Sequence, residues 1–230
     1  MKLTVLLGFI SFTGVAQIQT LDLNTNTSNV RYNDPTITTE DKGKMNYSDV
    51  HGRYLWDENW KPAKIKLKTG HLYFVKQAKL NLYVNGLHYI NTKGEELVAG
   101  LELLKSIKFL SSKDTSQIEG SFESFLMNRD KMFEILCSGK IQFLKKVTVT
   151  LKKENYDVLV GKHEYRFISN IKYFLKIENK VIQLNSLNKD SLAGSVEFSS
   201  PVNSWLTQNK NKLKKEEDFI EFLKFYNSLN

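Results

Sequence analysis

The chain has 230 residues, of which 41% are hydrophobic and 25% charged, and it carries a formal net charge of +8. That apolar fraction excludes a disordered chain and suffices for the core of one compact domain, although the length alone allows two. A single cysteine, Cys137, excludes an internal disulfide framework.

The N-terminus reads as a secretory signal. Met1-Lys2, the apolar run Leu3 to Phe12 and the small residues Gly14-Val15-Ala16 stand in the order that export requires, which places cleavage between Ala16 and Gln17. The run is too short to span a bilayer, which takes about 20 apolar residues. Residues 17–50 hold the tract Asn24 to Asn29, then Asn33-Asp34-Pro35 and Asp41-Lys42-Gly43, and read as a flexible leader. Residues 51–230 are expected to form a single β-rich domain with C-terminal helices, in the periplasm or outside the cell.

From Ala63 the apolar period is two. Ala63, Ile65 and Leu67 alternate with Lys64, Lys66 and Lys68, and Thr69-Gly70 turns the chain into His71 to Val75. Ala78, Leu80, Leu82 and Val84 continue the pattern to Asn85-Gly86, which is expected to be a two-residue hairpin turn pairing with Leu87 to Asn91. Further strands are expected around Glu96 to Ala99 and Leu103 to Leu110, so the first half reads as an antiparallel meander. Ser121 to Met127 and Met132 to Cys137 are too short for their period to separate strand from helix. A second meander is expected from Lys140 to Leu151, Tyr165 to Ile168, Lys172 to Ile177 and Val181 to Leu184. The fold class is mainly β with C-terminal α-helices (α+β), the meanders forming a curved sheet, a sandwich or an open barrel. Ser200-Pro201 opens a helix, and Glu216, Glu217 and Asp218 open a second whose Phe219, Phe222, Leu223 and Tyr226 share a face.

The order of Gly52-Arg53-Tyr54-Leu55 and Trp60, the Lys68-Thr69-Gly70 hairpin, Phe133-Glu134-Ile135-Leu136 with Gly139, and the terminal Glu217 to Tyr226-Asn227-Ser228 resembles a family of exported, uncharacterised proteins common in Bacteroidota. In that family the first motif usually reads Gly-Ser-Pro-Tyr-Leu; here Arg53 replaces the Ser-Pro pair. The resemblance implies export and a β-rich fold, and carries over no catalytic residue.

Recognised catalytic signatures are absent from the sequence. His51, His71, His88 and His163 have no metal-ligand spacing, though His71 and His88 fall on strands of one meander, and no phosphate loop or nucleophile elbow stands in its proper context. No catalytic residue, metal or cofactor is therefore assigned. Cys137 reads as a buried apolar side chain. The ligand-binding candidates are Tyr54, Trp56, Asp57 and Trp60, because aromatic faces beside a carboxylate stack on a sugar while bonding its edges. The competing role for the same residues is packing at an open end of the sheet. Lys64, Lys66 and Lys68 form a one-sided comb, suited either to an anionic surface or to guarding an edge strand. The basic charge draws polyanions, but Arg31, Arg53, Arg129 and Arg166 are the only arginines and nucleic acid is not expected as a partner. A glycan or an anionic envelope surface fits better. The sequence thus points to an exported, non-enzymatic binding or envelope-associated module. A hydrolase of an envelope or extracellular polymer and a structural accessory of an envelope assembly are the alternatives.

Overall fold

The computed structural model describes residues 50–125, 132–157, 162–192, 194–209 and 213–229. The expected signal segment and nearly all of the leader lie outside these residues. Ten strands form one antiparallel sheet: β1 (Lys61–Leu67), β2 (Leu72–Asn81), β3 (Gly86–Ile90), β4 (Glu96–Gly100), β5 (Leu104–Leu110), β6 (Ile118–Ser124), β7 (Met132–Cys137), β8 (Ile141–Asp157), β9 (Lys162–Ile177) and β10 (Lys180–Leu184). Their spatial order is β10-β9-β8-β7-β6-β5-β1-β2-β3-β4, so the sheet stays open with β4 and β10 at its edges. Two helices follow, α1 (Ser200–Gln208) and α2 (Glu216–Ser228).

The first half is not a plain meander. After β4 a 3-10 turn at Leu101–Leu103 carries the chain back to β1, held by Leu101 N donating to Asn85 O at 3.3 Å and Lys68 N to Leu103 O at 3.0 Å. Strand β1 therefore lies inside the sheet, flanked by β2 and β5. Its lysine comb guards no edge.

Three local expectations are also revised. The β2–β3 connection is wider than two residues: the ladder ends at Asn81↔Gly86, and the Asn81 side chain takes the amides of Tyr83 at 3.1 Å and Val84 at 3.2 Å. Asn85 still adopts the left-handed backbone that such loops need, with φ 52°. The segments Tyr165 to Ile168 and Lys172 to Ile177 are one strand. Ser169 and Asn170 contain neither Gly nor Pro to break the ladder, and they pair with Val149 and Thr148. The two undecided apolar runs supply strands β6 and β7.

Two covers bury one face of this sheet. Over β7 to β10 lie the helices, whose Val202, Leu206, Phe219, Phe222 and Leu223 pack on Cys137, Phe143, Leu175 and Leu184. Asp218 caps α2 by accepting from the amides of Lys214 and Lys215, each at 3.1 Å. At the other end of α2, Asn227 mimics a strand neighbour: it accepts from Ile141 N at 2.9 Å and donates to Ile141 O at 2.9 Å. Gly139 leaves room for that amide, which a Cβ there would overlap.

The second cover is residues 51–56, a strap between the far end of β9 and the end of β2. Phe167 N donates to His51 O at 2.8 Å, Leu82 N to Tyr54 O at 2.8 Å and Trp56 N to Leu80 O at 2.9 Å. Gly52 permits the crossing, because its φ is +99° and a Cβ would overlap the Phe167 carbonyl. Tyr54, Leu82 and Tyr83 then pack with Val149, Leu151 and Phe167. The long β8–β9 hairpin is thereby drawn towards β2, and the sheet curls around a cleft.

Candidate functional site

Cross-strand partners share a face, so the register writes out a row across the inner surface. Ile65 pairs with Ile107, Ile107 with Phe122, Phe122 with Glu134, Glu134 with Lys145 and Lys145 with Tyr173. The row is apolar from β1 to β6 and becomes Glu-Lys-Tyr on β7, β8 and β9. That change falls where the strap cover gives way to the helix cover.

Each polar member has a partner. Trp56 Nε1 donates to Glu134 Oε1 at 3.0 Å. Lys145 Nζ lies 2.9 Å from Glu216 Oε2 on α2, and the Tyr173 hydroxyl donates to the same oxygen at 2.8 Å. Burial pushes the Glu134 carboxyl above its ordinary range; the Trp56 hydrogen bond and the Lys145 charge oppose this, while the Glu216 charge adds to it. Burial, then the Glu216 hydrogen bond and charge, hold the Tyr173 phenol far above its usual value.

Above Glu134 the covers leave a cavity of about 50 Å³. Its walls are Trp56, Leu80, Leu82, Leu101, Phe122, Met132 and Val147, with Asn85, Glu134, Lys145, Lys146 and Thr148 as polar lining. The space admits a group of a few heavy atoms, with an acceptor at one side, donors near it, and apolar contact around the remainder. Beside it, Ile171 on β9 is 48% exposed although its cross-strand partner Val147 lines the cavity, which marks the mouth of the cleft.

The four candidates of the aromatic segment take different neighbours. Tyr54 tilts against Phe167 at 5.0 Å between ring centroids. Trp56 stacks on Phe109 at 4.9 Å, meets Phe122 edge-on at 5.4 Å, and covers Gly120, where a Cβ would overlap its ring. Asp57 binds Lys61 at 3.3 Å; burial raises its carboxyl, but hydrogen bonds from Asn59 and Lys61 outweigh this and hold it below the ordinary value. The Trp60 ring lies under Lys79 Nζ at 4.8 Å. Of the four, Trp56 alone lines the cavity, and its polar partner is Glu134 rather than Asp57. Glu134 carried a sequence signal, as a lone acid inside the apolar run Met132 to Cys137. Lys145 and Glu216 did not, since each sits among other charged residues.

His71 and His88 are separately engaged, the first 3.0 Å from Thr69 Oγ1 and the second 2.7 Å from Glu96 Oε1. Among the described residues no three of His, Cys, Asp and Glu converge as a metal would require, and no helix is long and apolar enough to cross a membrane. Searches against protein families, curated proteins and solved structures find no match to this chain.

The raised carboxyl gives a pH prediction. A folded-state pKa above the unfolded one means that the fold binds the proton more tightly. Glu134 therefore contributes stability that is full below the unfolded value and lost as pH rises through the folded one. Glu134→Gln keeps an acceptor for Trp56 and removes the titration. Urea unfolding at about pH 4 and about pH 7 should show the native protein losing ground to this variant at the higher pH. A constant offset between the two proteins contradicts the assignment.

Proposed function

We propose that this is an exported, non-enzymatic binding module whose ligand seat is the cleft between strap and helices. The observation that carries the reading is the Glu134 carboxylate, held by the Trp56 indole at the floor of an apolar-walled cavity. The tripartite N-terminus and the resemblance to exported Bacteroidota proteins support the location. A group that fits the lining is a small amide, such as the acetamido arm of an N-acylated sugar. Its N–H would donate to Glu134, its carbonyl would accept from Lys145 or Asn85, and its methyl would lie against Trp56 and Phe122.

A second reading, hydrolysis of a polymer with Glu134 as proton donor, is favoured by the raised carboxyl and by a second carboxylate, Glu216, near enough to add to that shift. Against it stands the clamping of Glu216 by Lys145 and Tyr173, which leaves that oxygen poorly placed to activate water.

Calorimetric titration with N-acetylglucosamine, with glucosamine as the control, tests the binding reading. Binding of the acetylated sugar alone is expected, and Val147→Phe, which fills the cleft from β8, should abolish it with the fold retained. Equal response to both sugars, or binding undisturbed by Val147→Phe, rejects this seat. Conversion of an N-acetylglucosamine oligomer to shorter products moves the assignment to hydrolysis.

A further inference from the structure

The outer face of the sheet carries lysines in positions that internal packing does not explain. On β1 and β5, Lys64 and Lys108 are directly paired across the ladder and both are exposed. Like charges in such positions repel. Among the described residues no carboxylate lies within ion-pair distance of Lys64, Lys66 or Lys108. Lys146 and Lys172 are also paired across β8 and β9, but there Lys146 is half-buried with its Nζ 5.8 Å from the Phe133 ring centroid, so packing accounts for that pair. Between the two pairs, on β6, the Glu123 carboxylate is engaged by Lys105 at 3.0 Å.

Because β1 is an interior strand, edge protection cannot account for its comb. The lysines also have apolar company. Lys66 pairs with Leu72, which is 64% exposed at the start of β2, and Lys64 pairs with the half-buried Phe74. A soluble polyanion has no use for an exposed leucine beside lysines. An anionic bilayer does, since lysines meet headgroup phosphates while an adjacent apolar side chain enters the interface. The use of lysine rather than arginine suits attraction by charge density rather than bidentate recognition.

We propose that the outer face of β1, β2 and β5, with Lys64, Lys66, Lys108 and Leu72 as its contacts, docks on an anionic lipid surface. This face is opposite the cleft, so the proposal does not rest on the ligand reading.

The test is co-sedimentation of the full chain with phosphatidylcholine vesicles, with and without phosphatidylglycerol, at low and high salt. The pure phosphatidylcholine arm accounts for any apolar binding by the N-terminal segment. Phosphatidylglycerol-dependent binding that salt weakens is expected. Lys64→Gln with Lys108→Gln should reduce it about 30-fold, from roughly fivefold per lysine near such a surface. The double variant relieves a repulsion, so its thermal midpoint should not fall below that of the native protein. Lys66→Gln, whose β5 neighbour is Ser106, is the independent variant, with an expected loss of about fivefold. Leu72→Ser should weaken binding without changing its salt dependence. Binding that ignores phosphatidylglycerol, or persists unchanged in the lysine variants, overturns the proposal. Tight binding to soluble heparin with none to vesicles overturns it in favour of a polyanionic glycan.

Discussion

Phe222→Ala is expected to destabilise the fold by about 3–5 kcal/mol, the usual cost of removing a large core aromatic. Phe222 is fully buried in the helix-covered core, with Trp205 at 5.4 Å and Tyr226 at 6.3 Å between ring centroids. Neighbours cannot easily fill the vacated space. Trp205 is already stacked on Phe225 at 5.5 Å, and Phe219 is engaged with Phe143 at 5.5 Å. Urea unfolding followed by far-ultraviolet dichroism reads the loss. An unchanged midpoint would mean that α2 does not pack on the sheet, and would make its apolar stripe a partner surface instead.

Trp56→Ala should cost a similar amount, about 3–5 kcal/mol, for two separable reasons. It removes the ring that stacks on Phe109 and covers Gly120, and it deprives the half-buried Glu134 carboxylate of its indole donor. Trp56→Phe keeps much of the ring and loses only the N–H, so it should cost about 1–3 kcal/mol. Because the missing donor matters most to a charged carboxylate, the Phe variant's deficit should shrink in acid, whereas the cavity part of the Ala deficit should not. Equilibrium unfolding of both variants at acid and neutral pH checks this. A Phe deficit that does not depend on pH would separate Trp56 from Glu134 energetically.

The elements read most directly from the sequence were those where one local rule acted alone. The period-two run Ala63 to Leu67 gave β1, and the acidic opening of α2 with Phe219, Phe222 and Leu223 on one face gave the C-terminal helix and its buried stripe. What the sequence could not give was set at long range. The return of β5 to β1 is made by their antiparallel ladder, with backbone bonds to Asn85 and Leu103 beside it, and no composition signal records this pairing. The candidate site shows the same division. Trp56 was legible as an aromatic in a polar segment, but its functional neighbour lies 78 residues away on β7. Only the register Phe122↔Glu134↔Lys145↔Tyr173 brings the polar row together. Gly139 and Asn227, both in the motifs that carried the family resemblance, meet where α2 docks on the β7–β8 turn, which supplies a packing reason for that pair.

The most direct test of the central claim, that the strap and helices frame a ligand seat at Trp56 and Glu134, is the indole N–H spectrum of the nitrogen-15-labelled protein. The three tryptophans, Trp56, Trp60 and Trp205, give one such resonance each. During titration with N-acetylglucosamine the Trp56 resonance should move saturably, because its N–H already faces the Glu134 carboxylate that the ligand would approach, while Trp60 and Trp205 should stay in place. A Trp56 resonance that holds still while Trp60 moves would put binding on the outside of the aromatic segment and contradict the account.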